Sequence, residues 1–200
     1  MPAYCPYTCA RIVSALEFRK YKVFRGEYDL NIVGVRSRDL QANTFNDWIT
    51  MFHLRASGIW AFYAFQATTD PGTYWRQNPE NTSGTGILAT GQHRGLWRLG
   101  QHRGVYQAFT QAAPVKVWRD NDRNAVLDVG RQSETGMFGI NMHRAKEEGA
   151  SANVDKWSAA CQVFADSDDF AFALTLARRQ IAAQKGDTFT YTLLDENDVS

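Results

Sequence analysis

Two short apolar segments, residues 137–143 and 157–164, lie on either side of a polar loop at 144–156 and constrain the fold of this chain most strongly. The first is punctuated by glycine and is typical of a buried strand. The second is typical of a strand or a tight corner. A strand, a loop and a return segment would bring His143 beside Cys161. The sequence therefore predicts a histidine and cysteine pair.

This pair has a chemical use. A cysteine attacks only as its thiolate and needs a neighbouring base, and histidine suits that task because its unperturbed pKa lies at about 6.5. We therefore take Cys161 as the candidate nucleophile and His143 as its base. The small residues Ala159 and Ala160 leave room for a substrate carbonyl, and backbone amides near Ala160 and Cys161 are candidate oxyanion donors.

A helix is expected directly after the cysteine. Acidic residues at 166–169 suit a helix N-cap and first turn, and apolar residues follow at helical intervals to about Gln184, before Gly186. The apolar positions are Phe170, Leu174, Ala177 and Ile181.

The order of these residues resembles a known signature. His143, fourteen residues, Ser158, two residues and Cys161 are similar to H-x(14 to 17)-[S/T]-x-G-C of the L,D-transpeptidase catalytic domain, the YkuD-like family. Upstream, residues 68–74, TTDPGTY, resemble the T-P-x-G-x-[F/Y] turn that precedes the catalytic strand in that family. The resemblance defines a catalytic-type region at 68–184.

The resemblance implies a β-rich fold whose cysteine attacks a peptide bond of peptidoglycan stem peptides and forms a thioacyl-enzyme. An amine or water then accepts the acyl group, so that the chain is a transferase or a hydrolase. The resemblance also implies that Ser158 shapes the oxyanion pocket and that the backbone carbonyl of Arg144 holds the imidazole tautomer. Tyr74, Trp157 and Ala160 are the corresponding substrate-binding candidates.

Three positions depart from the family pattern: Arg144 and Ala160 stand where glycine is common, and Val163 replaces the usual arginine. A pentapeptide repeat, GQHRG at 91–95 and 100–104, offers a substitute anchor. Arg94 and Arg103 of the two copies could together bind a substrate carboxylate. The alternative interpretation is a pair of equivalent turns.

The whole chain, 1–200, is expected to form one α+β domain that is mainly β, with 1–28 as an N-terminal extension. Residues 10–22 suit an amphipathic helix or an edge element, and 71–86 suit a loop that either covers the active site or simply lies on the surface. The expected strands are 30–35, 45–52 and 58–68, followed by a hairpin of 115–118 and 125–129.

Composition removes several classes of function. A net charge of +1 gives no field for nucleic acid. Three cysteines are too few for a disulfide framework, and the CPYTC motif at 5–9 lacks the spacing of a zinc site. The turn at 120–124 lacks the terminal glutamate of a calcium loop. We therefore expect neither a metal nor a cofactor.

No apolar run reaches the roughly 20 residues that span a bilayer, and no export signal is recognised at the N-terminus. A wall-directed enzyme made in the cytoplasm must then reach its substrate another way. One route is a bacteriophage that carries the protein in its virion or releases it to the cell wall. Alternatives are a structural or wall-binding component of a phage particle, in contact with other virion proteins, and a cysteine peptidase with a protein substrate.

Overall fold

The computed structural model describes residues 4–40, 43–124 and 126–199. Within them the chain is mainly β, with 39 % of residues in strands and 19 % in helices, and it forms a single domain. The α+β, mainly β class expected from the sequence is confirmed at this level. No helix of the described residues is long and apolar enough to cross a membrane.

Eleven strands and three α-helices make up the described chain. The helices are α1 (Cys9–Phe18), α2 (Thr73–Gln77) and α3 (Ser167–Gln184), followed near the C-terminus by a 3-10 helix (Glu196–Asp198). The strands are β1 (Asn31–Arg36), β2 (Asp47–Leu54), β3 (Trp60–Thr68), β4 (Thr85–Leu88), β5 (Gly91–His102), β6 (Tyr106–Gln111), β7 (Val115–Asp120), β8 (Ser133–Gly136), β9 (Asn141–Arg144), β10 (Gln162–Phe164) and β11 (Thr188–Asp195).

Eight of these strands close into a barrel in the order β1, β11, β5, β6, β9, β10, β3, β2. Most neighbours are antiparallel, but β1 runs parallel to β11 and β9 runs parallel to β10. The remaining strands form a separate sheet in the order β4, β7, β8. Barrel closure leaves no free edge among the eight strands.

Side chains on the barrel strands alternate between two apolar clusters. Ile32 belongs to the main core, whereas Val33 and Val35 belong to a second cluster that α1 covers with Ile12 and Leu16. The helix α3 packs on the main core, because its spacing places Phe170, Ala173, Leu174 and Ala177 on one face. Its N-cap is Asp166, whose side chain accepts from the amide of Asp168.

A buried arginine ties several elements together. Arg36 is 2 % exposed and forms an ion pair with Asp70, with 2.8 Å between Nε and Oδ1. Its guanidinium also donates to the backbone carbonyls of Thr69 and Leu88. Asp47 accepts from the amide and hydroxyl of Thr69. Since a buried charge is stable only when it is paired, this network fixes the turn that follows β3.

Most of the elements expected from the sequence are present, with two differences. The first helix, the three early strands and the helix after the cysteine are found, but the segment expected as a loop at 71–86 contains α2 and the start of β4. The expected hairpin partner of β7 at 125–129 is wrong, because β7 pairs with β8; Ala125 itself lies outside the described residues. The chain instead folds around the buried Asp120 carboxylate, which accepts from Arg76 and from the Asp128 amide.

The barrel interior is tightly packed around Gly34. A Cβ there would lie 2.0 Å from the hydroxyl oxygen of Tyr191, which donates to Gln162 at 2.7 Å. We expect Gly34→Ala to lower the free energy of unfolding by about 3 kcal/mol, measured by urea denaturation. Gly186→Ala is the matched control, since nothing lies within 4 Å of a Cβ there. Equal effects of the two substitutions would contradict this packing.

Candidate active site

The parallel pair β9 and β10 places the candidate residues on one face. The register joins Val163 to His143, and Met142 turns into the main core. By alternation, Asn141 and His143 turn to the outer face of the barrel. Cys161 comes directly before β10 and reaches the same face, where its sulfur accepts from the Asn141 amide at 3.4 Å. The expected approach of the two segments is present.

The His143 ring is buried, with 3 % of the residue exposed. Its Nδ1 lies 2.8 Å from the carbonyl oxygen of Arg144, which is the contact that the family resemblance implied. Since a carbonyl can only accept, Nδ1 carries the hydrogen and Nε2 is left as the basic atom. Nε2 is buried and completes no well-formed hydrogen bond with the described residues, although the Trp157 backbone lies close enough to the ring to raise its pKa. Burial, and secondarily His102, lower the pKa of His143 to about 3.

The thiol of Cys161 is neutral as well. Burial raises its pKa to about 11, which outweighs the lowering by the Asn141 amide and by Arg103. The described contacts include no hydrogen bond between the sulfur and the His143 ring. The resting pair is therefore a neutral thiol near a neutral imidazole, not a preformed thiolate and imidazolium.

Two clefts adjoin these groups. The first, of about 790 Å³, is lined by Cys161 and Ala160 together with Glu80 and Arg119. The second, of about 970 Å³, is lined by His143. Three residues line both clefts: Trp75, His102 and Arg103.

Of these three residues, Trp75 lies in α2, whereas His102 and Arg103 stand at the tip of the hairpin between β5 and β6. Arg103 and Gly104 both have positive φ, of 52° and 72°, and the Val105 amide donates to the His102 carbonyl, as in a type I′ turn. The His102 ring stacks on His143 with centroids 4.1 Å apart. His102 Nδ1 lies 2.9 Å from the side-chain nitrogen of Asn141.

Ser158 lies in the turn directly before the cysteine. Its side chain is buried, its hydroxyl donates to the Cys161 carbonyl at 2.8 Å, and it accepts from the Ala160 amide at 3.3 Å. Ser158 therefore holds the turn before the cysteine, and the Ala160 amide is already occupied as a donor. The Ser158 carbonyl accepts from the Gly72 amide, so the two motifs that resemble the family meet here.

The candidate substrate residues lie in different clefts. Ala160 lines the first cleft, whereas Tyr74 and Trp157 line the second, where Lys156 lies over the Tyr74 ring at 4.2 Å. Arg144 lies in the same cleft.

The proposed arginine pair is not brought together. Arg103 lines both clefts, whereas Arg94 lies earlier on β5, over the Phe24 ring, and lines neither. The repeat does not form two equivalent turns either, because its first copy belongs to the strand β5 and only its second copy turns. Because Arg94 lies on β5 and Arg103 lies just beyond its end, the extended strand holds the two guanidinium groups apart.

Three carboxylates meet away from the clefts. Ligand oxygens of Asp120, Asp122 and Asp128 lie within 4.8 Å of one another, although the sequence spacing does not match a calcium loop. Arg76 pairs with Asp120 and Arg131 pairs with Asp128, both at 2.9 Å. These arginines already neutralise two of the three acids. The three cysteines, all described, are free thiols.

Sequence reasoning missed His102, Asn141 and Tyr106 as members of the site. The Tyr106 hydroxyl lies 3.4 Å from both His143 Nδ1 and the Arg144 carbonyl oxygen. His102 was part of the recognised repeat, and the Arg-Gly pair that follows it is compatible with a tight hairpin turn. This turn pattern was the signal from which the place of His102 at a hairpin tip could have been predicted.

In comparisons with protein-family models, with curated proteins and with solved structures, no match to this chain was found.

Ala160 adopts a backbone conformation that favours glycine, with φ of 138°. We expect Ala160→Gly to raise the free energy of unfolding by about 1 kcal/mol through relief of this strain. Ala159→Gly, whose backbone is unstrained, should instead lower it by about 0.5 to 1 kcal/mol. Urea denaturation of both variants measures the contrast, and a loss of stability in Ala160→Gly would count against the strain.

The raised thiol pKa predicts a specific pH profile. We expect the rate at which iodoacetamide alkylates Cys161 to rise about tenfold per pH unit from pH 7 to about pH 10, because only the thiolate reacts. Peptide mass spectrometry after quenching resolves Cys161 from Cys5 and Cys9. A rate that is already independent of pH near neutrality would show a preformed ion pair instead.

Proposed function

We propose that this protein carries out cysteine-dependent acyl transfer or hydrolysis on peptidoglycan stem peptides through a thioacyl-enzyme, as the L,D-transpeptidase-like family does. The observation that carries the proposal is the joint position of Cys161 and His143 on one face of the barrel. His143 is held by the Arg144 carbonyl, and the sulfur borders an open cleft. The meeting of the two family-like motifs at Gly72 and Ser158 adds support.

The chemistry follows from the neutral pair. As the sulfur of Cys161 attacks the substrate carbonyl carbon, the thiol proton passes to the basic Nε2 of His143. The bond to the leaving amine then breaks, and the imidazole returns its proton to that amine. An acceptor amine or water attacks the thioester and restores the thiol. Because both groups are neutral at rest, the proton moves during attack and not before it.

The clefts supply charges that suit such a peptide. Arg103 lies between them, and guanidinium groups bind carboxylates in a bidentate manner. Arg119 also lines the first cleft, but its guanidinium is already paired with Glu134. Stem peptides carry free carboxylates, so Arg103 alone takes the role first given to the pair of Arg103 and Arg94. Tyr74 and Trp157 add aromatic surface in the second cleft.

A second candidate function is a non-catalytic structural or wall-binding part of a phage particle that retains this fold. The observation that favours it is the missing hydrogen bond between the described Cys161 sulfur and the His143 ring. A protein that only binds the wall needs no proton transfer between them. The two candidates differ in what they do to a muropeptide.

The test is incubation of the protein with purified muropeptides, followed by mass spectrometry of both the muropeptides and the intact protein. We expect new cross-linked or shortened muropeptides and an acyl adduct on the protein. Cys161→Ala should abolish both signals, and His143→Ala should slow them by about 10² to 10⁴, the usual contribution of a general base.

Cys9→Ala is the matched control, since Cys9 is a free, half-buried cysteine with a pKa also raised to about 11 by burial. It should keep full activity. Muropeptides that remain unchanged with the parent protein, together with sedimentation of that protein on insoluble cell wall, would favour the binding function over catalysis.

A further inference from the structure

We propose that His102 is a second catalytic imidazole, whose neutral Nε2–H donates a hydrogen bond to the acyl oxygen of the substrate while Cys161 attacks. This inference rests on the proposed function of Cys161 as the nucleophile. It adds a residue and a role that the resemblance to the family does not supply.

The contact with Asn141 decides the tautomer of His102. The side-chain nitrogen of Asn141 lies 2.9 Å from His102 Nδ1, and an amide nitrogen can only donate. Nδ1 is therefore the acceptor in a neutral ring, and the hydrogen is on Nε2. Among the described residues, the hydrogen bond to the His102 ring is made at Nδ1, so the Nε2–H donor is left for a substrate.

His143 carries its hydrogen on the other ring nitrogen. The Arg144 carbonyl leaves His143 with its hydrogen on Nδ1 and a basic Nε2. The two rings stack with centroids 4.1 Å apart and planes 24° from parallel, so two imidazoles of opposite tautomer stand side by side. One can accept the thiol proton while the other donates to developing negative charge.

The His102 donor borders the same cleft as the nucleophile. His102 lines the cleft of Cys161 as well as the cleft of His143. Asn141 holds both groups, because its backbone amide donates to the Cys161 sulfur and its side chain donates to His102. A single residue thus sets the positions of the nucleophile and the donor.

The proposed reaction needs a hydrogen-bond donor at the acyl oxygen. Attack by the cysteine sulfur on a carbonyl places negative charge on oxygen, and enzymes stabilise that charge with preorganised hydrogen bonds. The Ala160 amide, a natural candidate before the cysteine, instead donates to Ser158. Burial, and secondarily Arg103, lower the pKa of His102, which favours the neutral ring at physiological pH.

Two reagents separate this role from general damage to the site. In acylation by p-nitrophenyl acetate, the sulfur bonds to the acetyl carbon, the thiol proton goes to His143, and the nitrophenolate leaves with its electron pair. The acyl oxygen carries negative charge in between. Alkylation by iodoacetamide displaces iodide from a saturated carbon and forms no such oxygen anion.

We expect His102→Phe, which retains a flat ring against His143, to slow acylation by about 10²-fold. It should change alkylation less than about twofold. His102→Gln, which has an amide N–H donor, should keep acylation within about tenfold of the parent. His93→Gln is the matched control at the same position of the first repeat, outside both clefts, and should alter neither rate.

Acylation by His102→Phe at the parent rate, or an equal loss in both reactions, would overturn the donor role. Should His102→Phe fail to fold, histidine nitrogen NMR of the parent decides the matter. It should show hydrogen on Nε2 of His102 and on Nδ1 of His143, with His102→Gln providing the assignment, and the reverse tautomer for His102 would refute the proposal. Unchanged acylation of Cys161→Ala would mean that the proposed nucleophile itself is wrong.

Discussion

The parallel pairing of β9 with β10 is the constraint on which the site depends. A parallel ladder places paired side chains on the same face, so one register decides that Asn141, His143 and Cys161 all turn away from the core. A shift by one residue would turn these polar groups inward and bring Met142 to the surface. Since Met142 and Phe164 are packed in the main core, apolar burial holds the register, and the register holds the site.

The turn before the cysteine shows how two distant parts of the chain depend on each other. The buried ion pair of Arg36 with Asp70 fixes the segment after β3, and the next glycine, Gly72, donates to the Ser158 carbonyl. A Cβ on Gly72 would lie 2.2 Å from the carbonyl oxygen of Asp155, so only glycine allows this approach. The position of Cys161 is thereby linked to a charge buried inside the barrel.

Local patterns in the sequence were sufficient for the helix after the cysteine and for the early strands, whereas the contact between His143 and the Arg144 carbonyl was expected only from the family resemblance. They were not sufficient for His102 or for the partner of β7. His102 reaches the site because a turn of two residues with positive φ reverses β5, and an Arg-Gly pair is a weak signal for it. The strand β8 is polar and exposed, and it carries no apolar alternation that a pattern could detect.

The burial of the site has a consequence for the life of the protein between reactions. Oxidants and adventitious electrophiles attack thiolates, and a cysteine held as its neutral thiol offers them little even at the edge of an open cleft. The same low polarity that lowers the basicity of His143 thus protects the sulfur from sulfenic acid formation. The sulfur at the edge of the cleft is therefore slow to react with small reagents at neutral pH, and it gains reactivity when a base takes its proton.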